Sequence, residues 1–131
     1  MIDVVVSENL TGAAMDALRR RYNVVFEPDL WRSSERLHEL VRQARALVVR
    51  NQTRVDPELL AAGQRLEIVS RAGVGLDNIH TEAATRAGIV VTYAPNENSL
   101  SVAELTLGLM LALARRIPAA DRDTRSGGWN R

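Results

Sequence analysis

Ser70-Arg71-Ala72-Gly73-Val74-Gly75-Leu76-Asp77-Asn78 decides the fold, because it carries a strand end straight into a glycine-rich turn. Gly73 and Gly75 match the opening of a G-x-G-x-x-G dinucleotide fingerprint, but the third glycine position holds Asn78. The turn is therefore not read as a cofactor pyrophosphate site. Two glycines still let backbone N–H groups approach an anion closely, and Arg71 adds a guanidinium beside them.

Working outward, short runs rich in β-branched residues recur at 4–7, 24–27, 46–50, 67–71 and 89–93, each predicted to be a buried strand. Between them lie segments with helical spacing: Leu10, Ala14 and Leu18, then Leu37, Leu40, Val41 and Ala44. Ser33 or Ser34 can cap the second helix, Asp56-Pro57 opens a third, and Gly88 closes a short one over 81–86. Alternating β and α elements build a parallel sheet with helices on both faces, joined by right-handed crossovers. The expected fold is α/β, a flavodoxin-like five-stranded parallel sheet. Ligands in such sheets bind at the carboxyl ends of the strands. That rule selects Arg50-Asn51, the 71–75 turn and the 93–98 segment, whose strands would be neighbours. Two arginines, a glycine turn and asparagines on one edge suit a small carboxylate or phosphate.

Composition narrows the function classes. The chain has 131 residues, 46% of them hydrophobic and 25% charged, with net charge +1, so neither nucleic acid nor anionic membrane is a general partner. The absence of cysteine excludes disulfides and thiolate metal sites and fits a reducing, cytoplasmic compartment. Residues 1–3 lack the features of a secretion signal. The apolar stretch 105–114 is too short to span a bilayer.

Beyond Asn98 the pattern changes. Ser99 or Ser101 can cap a helix running to about Arg116, with Glu104 as the capping-box partner of Ser101, and Pro118 interrupts it. Its apolar residues, from Val102 to Ala114, circle nearly the whole helix, so burial is expected on more than one side. A sheet domain can cover one side only, and another domain or subunit is expected to take the rest. A short polar helix over 119–125 and a terminal loop over 126–131 follow.

Several motifs in order, Ser70-Arg-Ala-Gly-Val-Gly-Leu-Asp-Asn-Ile79, Glu82-Ala-Ala-Thr85, Gly88-Ile-Val-Val91, Pro95-Asn-Glu-Asn98 and Ser101-Val-Ala-Glu104, resemble the D-isomer-specific 2-hydroxyacid dehydrogenases. The similarity is greatest to the branch acting on 3-phosphoglycerate in serine synthesis. It covers essentially the whole chain, although residues 1–65 match by layout more than by motif. The resemblance implies a substrate-binding domain over 1–98, and over 99–131 a connecting helix and the start of a missing dinucleotide-binding domain. It implies that Arg50, Asn51 and Arg71 meet the acidic groups of a small 2-hydroxy acid or its phosphorylated form. The amides around Gly73, Val74 and Gly75 would receive the carboxylate, and Asn98 would fix the loop or substrate. Val74 and Val102 would lie near the nicotinamide of NAD. The chemistry implied is hydride transfer between a 2-hydroxy acid and NAD. The family's base, its partner carboxylate, its orienting arginine and its G-x-G-x-x-G belong to a later segment, so the resemblance assigns no catalytic residue here and implies a truncated, inactive dehydrogenase. His80 departs from the family's common aspartate, and Asn51 from the serine common in the branch acting on 3-phosphoglycerate, which leaves the acid open.

The remaining polar residues have plainer uses. Asp77-Asn78 is expected to cap the next turn, and His38 and His80 to be exposed or capping residues without metal spacing. Ser7-Glu8 resembles the acidic cluster of a response-regulator receiver, but Arg50 stands where the phosphate-accepting aspartate is needed. A second function class remains open beside the dehydrogenase: a non-catalytic module binding a small acid, or a homo-oligomer joined through the 101–116 helix.

Overall fold

A computed structural model of the chain describes residues 1–129; Asn130 and Arg131, at the end of the expected terminal loop, lie outside the described residues. The chain divides into two compact units, Met1–Pro95 and Asn96–Arg131.

The first unit is built on β1 (Ile2–Val6), β2 (Val24–Phe26), β3 (Ala44–Val49), β4 (Ile68–Arg71) and β5 (Val90–Thr92). They form one parallel sheet in the order β2-β1-β3-β4-β5. This is the flavodoxin-like order expected from the alternation of elements. β1 starts two residues before the expected 4–7 run because Ile2 pairs with Ala44.

The period-two alternation of strand side chains sorts the core into two layers. Val5, Leu47, Val49 and Val69 point to one face, where they meet Leu37, Leu40 and Val41 of α2 (Ser34–Val41), Leu59 and Leu60 of α3 (Pro57–Ala62) and Ala83 and Ala84 of α4 (Thr81–Arg86). Val4 and Val6 point to the other, against Met15 of α1 (Ala13–Arg21). Each fully buried aliphatic side chain in these layers contributes roughly 1.5–3 kcal/mol. The face carrying α1 continues across Ile68 and Ser70 to Val90, which is 57% exposed.

Two expected helical stripes are corrected. Ala14 is exposed and Met15 buried, because α1 begins at Ala13 after Gly12, which turns Met15 and Leu18 toward the sheet. Ala44 is buried, but as the first residue of β3; α2 already ends at Val41. The caps follow the sequence more closely. Ser33 Oγ accepts from Arg36 N–H at 3.4 Å, and Asp56 Oδ1 accepts from Leu59 N–H at 2.9 Å. Gly88, at φ +70°, takes the left-handed position after α4, letting Ile89 N–H bond Ala84 C=O at 2.9 Å and turn into β5.

The second unit comprises α5 (Ser99–Ala114) and α6 (Ile117–Arg125). Neither Ser99 nor Ser101 caps α5: Asn98 holds the N-cap position without a side-chain bond, and Ser101 and Glu104 lie inside the helix, so no capping box forms. Pro118 does not end α5. The break falls at Arg116, whose φ of +53° is left-handed, and Pro118 sits in the first turn of α6, where its missing N–H costs no helical bond. No residue of α5 is buried, and Leu105, Leu109 and Leu113 along one side are all strongly exposed. Among the described residues no helix is long and apolar enough to cross a membrane, and no cluster of side chains has metal-ligand geometry.

Candidate functional site

Strand register assembles the expected edge. Val49 pairs with Arg71 and Ser70 with Thr92, so β3, β4 and β5 finish side by side, and Arg50-Asn51 follows β3 next to Arg71. Adjacent strands lie about 4.8 Å apart, which spaces these chain ends at the size of a small acid.

The 71–76 turn is held at its two ends and open between them. Ala72 N–H bonds Val49 C=O at 2.8 Å, and Gly73 C=O accepts from Ala94 N–H at 3.0 Å, tying the turn to β3 and to the end of β5. The N–H groups of Val74, Gly75 and Leu76 have no hydrogen-bond partner among the described residues. The Arg71 side chain folds back over Gly73, where a Cβ would fall on its Nη1. Glycine leaves room for this placement of the guanidinium, which a larger residue would push aside; its backbone is ordinary. Arg71 Nε is buried and unpaired. A guanidinium and three amides without partners on one turn are donor groups of the kind a carboxylate takes, with the Asp77 carboxylate lying against Gly75 in the same turn.

The neighbouring loop, residues 50–53, is shaped by a residue the sequence pattern left without a role. Glu8, just past β1, is only 3% exposed, and its carboxylate accepts three backbone N–H bonds. Oε1 takes those of Arg50 at 2.7 Å and Thr53 at 2.9 Å; Oε2 takes that of Gln52 at 3.0 Å. Burial by itself would raise the pKa of this carboxyl. The amides of Thr53, Gln52 and Arg50, with the Thr53 hydroxyl, outweigh it and hold the pKa below the ordinary value. Beneath the loop, Ser7 Oγ lies 2.7 Å from Thr53 Oγ1. Asn78 grips the loop's carbonyls: its Nδ2 donates to Arg50 O at 2.9 Å and Thr53 O at 2.7 Å. Arg50 and Asn51 remain exposed, with Arg50 Nη1 at 3.5 Å from Asn9 C=O.

Asn78 thus does not cap the following helix. His80 does, its Nδ1 accepting from Ala83 N–H at 3.2 Å, while the amide side chain of Asn78 reaches back across the edge. The same geometry argues against dinucleotide phosphates in the turn. The side chain at the third glycine position is committed to the neighbouring loop, and α4 starts only at Thr81 instead of offering its first amides to the turn. The residues present do not fit a pyrophosphate. Asn98 and Val102 belong to the second unit, Asn98 as the N-cap of α5 and Val102 in its first turn with its side chain exposed. One cue could have flagged Glu8 beforehand: an acidic residue directly after Val4-Val5-Val6-Ser7, at the carboxyl end of a central strand where such sheets bind ligands.

The fold defines a doubly wound α/β domain whose β3, β4 and β5 ends gather Arg50, Arg71 and the glycine turn on one edge. The model of the D-isomer specific 2-hydroxyacid dehydrogenase catalytic domain matches residues 4–127, and the chain belongs to that family. It is 45% identical over 98% of its length to a D-3-phosphoglycerate dehydrogenase of Archaeoglobus fulgidus and 42% identical over its whole length to one of Methanocaldococcus jannaschii. It spans about a quarter of those relatives, 24% and 25% of their lengths. A Thermus thermophilus protein of known structure superposes with a TM-score of 0.84 at 32% identity, over 99% of this chain and 42% of that one. The NAD+-bound 3-phosphoglycerate dehydrogenase of Entamoeba histolytica superposes with a TM-score of 0.70 at 30% identity, over 85% of this chain and 38% of that one.

Proposed function

We infer that residues 1–98 form the substrate-binding portion of an NAD-dependent D-2-hydroxyacid dehydrogenase acting on 3-phosphoglycerate in serine biosynthesis, in the cytoplasm. Residues 99–131 lead into its dinucleotide-binding domain. The observation carrying this proposal is the trio of unpaired amides at Val74, Gly75 and Leu76 beside the Arg71 guanidinium. The acid's carboxylate takes the amides and Arg71, and its phosphate takes Arg50 and Asn51. Two cationic side chains on adjacent strand ends suit a dianionic head and a carboxylate in one small molecule better than a simple hydroxy acid. The naming of the archaeal relatives as D-3-phosphoglycerate dehydrogenases supports the same acid.

In this scheme Val74 supplies apolar surface for the nicotinamide, and Asn98 and Val102 of the second unit carry the roles that the family resemblance implies for them. NAD accepts hydride when bound; the residues here bind and orient the acid. No G-x-G-x-x-G occurs in the 131 residues, so the chain alone binds the acid without oxidising it.

Calorimetric titration with 3-phospho-D-glycerate tests the proposal. The wild-type chain should bind. Arg71→Ala should weaken binding at least about tenfold, the usual scale for losing a charged partner. Gly73→Ala should do so too, by displacing the Arg71 guanidinium, while leaving the thermal midpoint nearly unchanged. Absence of binding by the wild type would sink the assignment, and NAD-dependent turnover by the purified chain would sink its inactive status.

A further inference from the structure

We propose that Glu8 is the positioning residue for the phosphate end of the acid, acting through the 50–53 loop without touching the ligand; this rests on the function proposed above. The loop has no glycine, no proline and no regular secondary structure to set its shape. What sets it is the convergence of the N–H groups of Arg50, Gln52 and Thr53 on one carboxylate. With those three amides turned inward, Arg50 and Asn51 are left on the exposed side of the loop. Asn78, anchored between the glycine turn and α4, holds the loop's carbonyls at Arg50 and Thr53. Donors pulled from one side and acceptors from the other fix the loop's rotation about its own axis. A charged acceptor for several amides is a stiff restraint, and a binding group is only as well placed as its support. The amides at Val74–Leu76 donate no hydrogen bond to Glu8, which accepts only from Arg50, Gln52 and Thr53, so the two ends of the acid depend on Glu8 unequally.

Glu8→Gln is the diagnostic change. It keeps the side-chain length, and its amide oxygen still accepts from two of the N–H groups, but an NH2 group then confronts the remaining backbone donor. With the 131-residue chain, wild type and E8Q are titrated with 3-phospho-D-glycerate and with D-glycerate, which has the carboxylate end alone. Hydrogen exchange is followed at the amides of residues 50, 52 and 53. E8Q should lose roughly tenfold or more in affinity for the phosphorylated acid, the scale of a misplaced binding group. Its affinity for D-glycerate should not change, and exchange should quicken at those three amides. Equal losses for both acids, no loss for either, or unchanged exchange would each overturn the positioning role while leaving the function standing. Failure of the wild type to bind either acid would overturn the function and the positioning role together. Glu8→Asp, one methylene too short to reach all three amides, should behave as E8Q does; wild-type affinity for the phosphorylated acid in that variant would also count against the proposal.

Discussion

Glu8 is a buried anion with no cationic side chain bonded to it among the described residues, stabilised by the dipoles of three amides. Because its folded pKa lies below the ordinary value, the unfolded chain binds the proton more readily. The stability it confers is therefore fully present above the ordinary carboxylate range and is lost as pH falls through the lowered folded value. Thermal midpoints of wild type and Glu8→Gln measured down an acid series should converge as the wild-type carboxylate protonates. A gap that stays constant would mean that the charge of Glu8 adds nothing to folding. Arg71 shows a different use of a charged residue. Its guanidinium lies over Gly73 with Nε buried and unpaired, a state that costs free energy until a ligand or water satisfies it.

At the scale of elements, local chemistry marks where helices begin and end only when a side chain actually reaches the first turn. Asp56 does so, and Pro57 behind it fits the helix start without losing a bond. Asp56→Ala should cost about 1 kcal/mol, read as a lower urea midpoint with an unchanged slope; no shift would mean that α3 is held by Leu59 and Leu60 alone. Ser99 and Ser101 carried the same cap signal and lost to Asn98, because the chain enters α5 one turn sooner than the Ser101–Glu104 spacing suggests. The five strands were legible because consecutive β-branched residues fit a pleated surface, although the edge strands β2 and β5 are only partly covered. Their ends shifted by a residue or two where pairing with a neighbour, such as Ile2 with Ala44, decided the length.

Across the whole molecule, the first unit closes its own core, while α5 presents apolar side chains all round with none buried. Leu105, Leu109 and Leu113 recur at four-residue spacing, and Leu113 is 81% exposed. A continuous apolar surface of this kind marks a docking face. The chain is expected to self-associate through α5, and Leu109→Glu with Leu113→Glu should return it to monomer. Sedimentation velocity at tens of micromolar checks this, and a monomeric wild type would refute it.

By itself the sequence determined the alternation of strands and helices, hence a parallel sheet, and placed Arg50, Asn51 and the 71–75 turn at strand ends. These follow from short-range patterns, period two in strands, near four in helices, and glycine where backbones must come close. Only the tertiary structure decided that Arg71 folds over Gly73, that three amides beyond it find no partner among the described residues, and that Glu8 and Asn78 hold the loop carrying Arg50 and Asn51. The Glu8 bonds join residues more than forty positions apart, such as Glu8 and Thr53, and the Asn78 bonds join residues more than twenty apart. No local pattern encodes which buried carboxylate will meet which amides; that is set when the sheet brings β1 and β3 together.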